Sequence, residues 1–165
     1  MASADFRALK VADLMSAPVT VSAASTVRNA AMFLARCGAS VVPVVTSEGA
    51  YAGAFGEADI HRRLSLGTRG FHLAEEFRTG VPFLSGRLPD AMWAEFARIG
   101  WTPVRSLARQ IPVVVPEDRV VAAAEVMRRQ GLSAVPVVVA NRPVGMLHAD
   151  ALTLRLLEYA LAAGR

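Results

Sequence analysis

The chain holds a single cysteine, Cys37, so it can close no internal disulfide. A lone thiol inside a stretch that reads as helix fits a reducing compartment. Lysine is nearly missing as well. Lys10 stands alone, and arginine carries the rest of the positive charge behind a net +4. Those arginines are scattered. Only His61-Arg62-Arg63, with Arg69 further on, forms a local basic patch. Scattered cations give no continuous track for a phosphate backbone, so nucleic-acid binding through Arg62, Arg63 and Arg69 ranks last among the functions considered. Long apolar runs are also lacking. The stretch 134–140 is interrupted by Pro136 and falls short of the roughly 20 residues that cross a bilayer. The opening "MASADFRALK" has no apolar signal-peptide core. These absences lead to the expectation of a soluble, cytoplasmic protein with no membrane partner.

Catalytic signatures are absent too. There is no P-loop, no Gly-x-Ser-x-Gly and no Cys-x-x-Cys. His61, His72 and His148 have no second His or Cys at metal-ligand spacing. The sequence therefore points away from an enzyme, and no catalytic residue, metal or catalytic cofactor is assigned.

What the sequence does contain is a phrase written twice. "GASVVPVV" begins at Gly38 and "GLSAVPVV" at Gly131, 93 residues later. At that offset Val11 meets Val104, Leu14 meets Leu107, Val27 meets Val120 and Ala30 meets Ala123. After one deletion the offset becomes 92, and Gly53 meets Gly145. So many ordered matches with one gap mark a duplicated unit. Apolar residues at 53% and charged residues at 19% suit a packed core.

Each copy reads as β-α-β-β-α. "APVTVS" and "IPVVVP" are short extended segments. Ser25 and Asp118 suit helix N-caps. Val27, Ala30, Ala31 and Leu34 share a helical face, as do Val120, Ala123, Ala124 and Met127. Gly38 and Gly131 suit the left-handed position that ends a helix. "SVVPVVT" and "SAVPVVV" are buried strands, and a proline inside each suggests a sheet edge or an irregularity. "SEG" and "NRP" supply turns before "AYAGAF" and "PVGML". Closing helices begin near Glu57 and Ala149. A unit of this size buries little apolar surface alone. The expected fold is α+β, with two β-α-β-β-α repeats packed about a pseudo-two-fold axis and a partly helical insertion between them. The boundaries are 3–67, 68–100 and 101–163.

The segments "VADLMSAPVTVSAASTV", "GASVVPVV" and "GAFGEADI", followed by "PVRSLARQIPVVVPEDRV", "GLSAVPVV" and "GMLHADAL", resemble a tandem pair of CBS domains, a Bateman module. The resemblance implies regulation by an adenosine-containing ligand, such as AMP, ADP, ATP or S-adenosylmethionine, held between the repeats. It implies backbone contacts to adenine near the first strand, at Thr20, and around the proline segments, at Val42, Pro43, Val135 and Pro136. It also implies a Gly-x-x-Thr/Ser-x-x-Asp segment whose Asp receives the ribose hydroxyls. A carboxylate can accept from both hydroxyls, and a helix N-terminus favours phosphate.

Carried over by position, Gly53 and Asp59 match that segment, and Gly56 replaces its Thr/Ser. In the second copy Gly145 matches, His148 takes the Thr/Ser place and Ala151 the Asp place. Asp150 lies one residue early, about 100° away around a helix. Asp59 is thus the leading ribose contact, set against a role in complementing the dipole of its own helix. His148 is a phosphate contact if protonated, and otherwise a packing residue. Asp150 is a ligand contact or a helix-end residue.

Between the copies, "LPDAMWAEFARIGW" reads as a helix with Pro89 in its first turn and Gly100 past its end. Met92, Phe96 and Ile99 share a face that packs on the module or lids a cleft. In the last helix, Leu152, Leu156, Tyr159 and Ala163 form one stripe, and Leu154, Leu157 and Leu161 form another. Two apolar faces suit a homodimer. Two functions lead: a stand-alone sensor of an adenosine-type ligand that alters dimer or partner contacts, and an interaction scaffold whose nucleotide sites have decayed.

Overall fold

The computed structural model describes residues 6–67 and 90–163. The first copy runs β1 (Val21–Ser22), α1 (Val27–Cys37), β2 (Val41–Val45), β3 (Tyr51–Gly56) and α2 (Glu57–Gly67). Helix α3 (Asp90–Gly100) leads into the second copy, α4 (Val120–Gln130), β4 (Ala134–Val139), β5 (Arg142–His148) and α5 (Ala149–Ala163). Mixed helix and strand content in two like halves agrees with the expected fold class.

The duplication is carried into the strand register. Val42 pairs with Phe55 and Val44 with Gly53; Val135 pairs with Leu147 and Val137 with Gly145. Both hairpins bulge at the same place, between Val44 and Val45 and between Val137 and Val138. The first strand pairs in parallel, Val21 with Val44. Its counterpart is reduced to one bridge, Val114 with Val137. The single-residue deletion falls in the hairpin loop. Ala140 and Asn141, at φ 48° and 60°, make the second turn tight. As a result Arg142 and Pro143 of the expected "NRP" turn lie in strand β5 instead.

The copies exchange their leading segments. Ser16 bridges Met146 of the second copy, and Arg109 bridges Ala54 of the first. Lys10 bridges Arg119, and Thr26 bridges Pro103. Each pair of bridges is one contact seen twice under the pseudo-two-fold relation. The exchange explains why proline is tolerated in the strands. Ala54 donates its N–H to Arg109 and accepts from the Arg109 N–H, at 2.9 and 3.0 Å. Pro43, paired with Ala54, therefore owes no ladder bond on that side. Pro136 still uses its carbonyl, which accepts from the Val114 N–H at 3.0 Å.

Helix starts follow the same exchange. The Val27 N–H donates to the Thr102 carbonyl and the Val120 N–H to the Leu9 carbonyl, each at 2.9 Å. These bonds set the first helical residue, one later than expected. Thr26, not Ser25, caps α1 and accepts from the Asn29 N–H at 3.2 Å. Arg119 precedes α4 without a side-chain cap, while Asp118 accepts from the Val115 N–H and tightens the preceding turn. Gly38 and Gly131 end the helices at φ 63° and 61°, as their positions suggested.

Three apolar clusters result. The first joins Val27, Leu34, Val44 and Phe55 to Ile99 and Val104. The second joins Val120, Met127, Val137 and Leu147 to Val11. Val104 and Val11 thus fill each other's copy. The third cluster, Val41, Ala54, Ile111, Ala134 and Met146, is the seam itself. Helix α3 packs on the module through Ile99, with Phe96 partly buried beside it. The side chains of Met92 and Trp93, as well as Pro89, lie outside the described residues, and so does Arg69 of the basic patch. No helix among the described residues is long and apolar enough to cross a membrane.

Candidate functional site

Two clefts flank the seam, related by the same pseudo-two-fold operation. The first is lined by Ser40, Gly56, Arg109 and Ile111, with Leu132 and Ser133 opposite. The second is lined by Ser16, Val19, Val41 and Val42, with Met146 and His148 opposite, and Asp150 and Ala151 at its end. At the duplication offset Ser16 corresponds to Arg109, Met146 to Ala54, and His148 to Gly56. The first cleft has a volume of about 220 Å³ and the second about 530 Å³. Pockets that enclose a drug-sized ligand run from about 300 to 1,000 Å³, so only the second reaches that size.

Glycine is required where the exchanged segments cross the strands. A Cβ on Gly145 would lie 2.8 Å from Met15 Sδ and 2.9 Å from the Ser16 carbonyl. A Cβ on Gly53 would lie 3.0 Å from the Arg109 carbonyl, at a φ of 131° that already favours glycine. At Gly56 a Cβ would fall 2.5 Å from the Ser40 carbonyl. No hydroxyl-bearing residue fits there without moving the Ser40 backbone just ahead of β2.

Asp59 sits in the first turn of α2 and is buried, its side chain 1% exposed. Its carboxylate accepts from the Gly56 N–H at 2.9 Å and from Arg62 Nη1 at 3.1 Å. Arg109 Nε lies 2.8 Å from the same Oδ1 atom that faces Arg62. That contact is a pairing of charge rather than an aligned hydrogen bond, since the Arg109 Nε–H has no acceptor in line. A buried carboxylate needs such partners. Here they come from its own helix and from the segment donated by the other copy.

The remaining candidates are distributed unevenly. His148 ends β5 and Asp150 opens α5, both at the second cleft. Asp150 accepts from the Ala151 N–H at 2.8 Å. Val42 lines the second cleft, whereas Pro43, Val135 and Pro136 are buried in their strands. Thr20 is exposed in the segment before β1. The structure thus brings Asp59 against Gly56, but buried and not among the residues lining the first cleft, while His148, Asp150 and Val42 come together at the second. Arg109 and Ser16 were missed. The 93-residue offset pairs them, but a mismatch inside a repeat carries no weight until the exchange places both in a cleft. Tyr51, whose phenol is pushed above its usual range by burial, is not among the residues lining either cleft.

Comparison with known proteins agrees with this geometry. The family model described as CBS domain matches twice, at residues 11–66 and 104–158. No curated protein matches the chain. Among solved structures, the CBS domain of a CBS domain-containing membrane protein from Sphaerobacter thermophilus is 24% identical, with a TM-score of 0.69; the alignment covers 92% of this chain and 90% of that one. The CBS domain pair of protein MJ0100, in complex with 5-methylthioadenosine and S-adenosyl-L-methionine, is 19% identical with a TM-score of 0.62, covering 90% and 99%. CBSX2 in complex with AMP is 19% identical with a TM-score of 0.62, covering 90% and 96%. At these identities the structural likeness establishes the fold.

Proposed function

The chain belongs to the CBS domain family as a tandem pair, and on that footing we propose that it is a regulatory, non-catalytic module. It takes an adenosine-containing ligand at the seam between its copies and changes its dimer or partner contacts in response. The observation that carries this is the pair of equivalent clefts, each bounded by the segment its copy receives from the other. A ligand there touches both halves at once, so its binding energy acts on their relative position. The apolar walls from Val19, Val41, Val42 and Met146 suit a flat heterocycle. MJ0100, which takes 5-methylthioadenosine and S-adenosyl-L-methionine, and CBSX2, which takes AMP, share the fold and support the ligand class.

Within this proposal His148 and Asp150 are the polar contacts of the second cleft. Asp59 is the ribose acceptor of the first, provided Arg109 withdraws from it. Thr20, Pro43, Val135 and Pro136 act through their backbone. The output runs through the exposed face of α5, where Leu154, Leu157 and Leu161 are 61%, 56% and 71% exposed. A homodimer through that face is part of the proposal.

Three observations favour a second function, an interaction scaffold with decayed sites. Arg109 pairs with Asp59, Gly56 admits no hydroxyl side chain, and Ala151 stands where a ribose carboxylate is expected. Calorimetry with AMP, ADP, ATP and S-adenosylmethionine separates the two. Saturable heat with any one of them supports the sensor. Neither heat nor a thermal shift with all four supports the scaffold.

A further inference from the structure

We propose that Arg109 is a tethered occupant of the first cleft, and that the second cleft is the working site, selecting an adenosine compound that carries no phosphate chain. The inference rests on the sensor function above and assigns its site and ligand charge. Three observations carry it. The clefts descend from one ancestral half, yet one is less than half the volume of the other. At one paired position the small cleft has Arg109 where the large one has Ser16, and the guanidinium reaches the buried Asp59 carboxylate. The Arg109 guanidinium pairs in charge with the carboxylate that two ribose hydroxyls would need, so it stands in a ligand's place without a loss of translational freedom. The Asp59 acceptor is therefore spent inside the chain.

The second cleft has the opposite chemistry. Ser16 leaves it open. Its described lining contains no lysine or arginine, while Asp150 brings a carboxylate. A triphosphate entering there meets an anion and no fixed cation to offset its desolvation. An uncharged or sulfonium-bearing adenosine compound meets no such penalty. Ser16 and His148 provide hydrogen-bonding groups for its polar edge.

The test is calorimetry on the full chain with S-adenosylmethionine and ATP as probes, using the wild type, Arg109→Ser and Ser16→Arg. The expected results are one equivalent of S-adenosylmethionine per wild-type chain, two in Arg109→Ser, none in Ser16→Arg, and ATP affinity at least roughly tenfold weaker. Two equivalents in the wild type, an unchanged single equivalent in Arg109→Ser, or weaker binding in that variant would each overturn the plug. ATP binding more tightly than S-adenosylmethionine would overturn the charge selection. Should Arg109→Ser fail to fold, the wild-type stoichiometry and Ser16→Arg still decide which cleft is used. Absence of binding by the wild type and Arg109→Ser to either probe and to AMP or ADP would reject the sensor function itself, a different result from any of these.

Discussion

The Ser40 and Ser133 hydroxyls lie 3.2 Å apart, and the two serines hold the same place in the two copies. A residue that touches its own duplicate marks the pseudo-two-fold axis. Around that contact the exchanges are reciprocal: Ser16 on Met146 with Arg109 on Ala54, and Lys10 on Arg119 with Thr26 on Pro103. Each half is completed by a segment of the other, which is why a unit too small to hold a core of its own is stable here.

Val11 and Val104 are both fully buried in the core of the opposite copy. Val11→Ala and Val104→Ala should each cost about 2 kcal/mol, from lost burial plus the cavity left behind. Because the cores share segments, urea denaturation should remain one cooperative transition in both variants. Two separated transitions in either would show that the halves fold independently.

Gly56→Thr should not restore a phosphate contact. Its Cβ would meet the Ser40 carbonyl at 2.5 Å, and the adjustment should cost about 1–3 kcal/mol. The measurement is thermal unfolding beside ligand titration. A stable Gly56→Thr variant with tighter AMP binding would mean that β2 yields more readily than its packing implies.

Much of this fold was legible in the sequence, and the limits were physical. The repeat, both closing helices and the glycine stops could be read because they rest on local rules of periodicity and backbone conformation. Thr26 rather than Ser25 became the cap because the Thr102 carbonyl takes the first helical N–H, a bond made across 75 residues. Pro43 suggested an edge or an irregularity; β2 lies between β1 and β3 but bulges just beyond it, between Val44 and Val45, and the bonds that excuse the proline belong to Ala54 and Arg109. Asp59 stood out as an acceptor, yet nothing local revealed that a guanidinium fifty residues onward would reach it. Long-range exchange leaves no periodic trace.

Asp59→Asn should lower stability by about 1–3 kcal/mol, since it removes the charge facing Arg62 and Arg109. The cost stays below that of breaking a fully buried pair because both arginine side chains are at least a third exposed. With the second cleft as the working site, ligand affinity in this variant should match the wild type. A tenfold loss of affinity in a folded Asp59→Asn protein would return the ribose contact to Asp59.

Leu154, Leu157 and Leu161 leave an apolar stripe on α5 open to solvent. The proposed homodimer through this stripe predicts that the wild type sediments as a dimer and that replacing Leu157 and Leu161 together with Glu leaves a monomer, with little change in thermal stability per chain. A dimer unaffected by both charges would place the interface elsewhere.

Methyl NMR of the full chain during addition of S-adenosylmethionine reads the seam most directly. Saturable shifts are expected at Val19, Val42 and Met146 of the second cleft, while Ile111 and Leu132 beside Arg109 stay near their starting positions. Stationary methyl signals on both sides of the Ser40–Ser133 contact, with this compound and with AMP, ADP and ATP, would contradict a ligand site between the two copies.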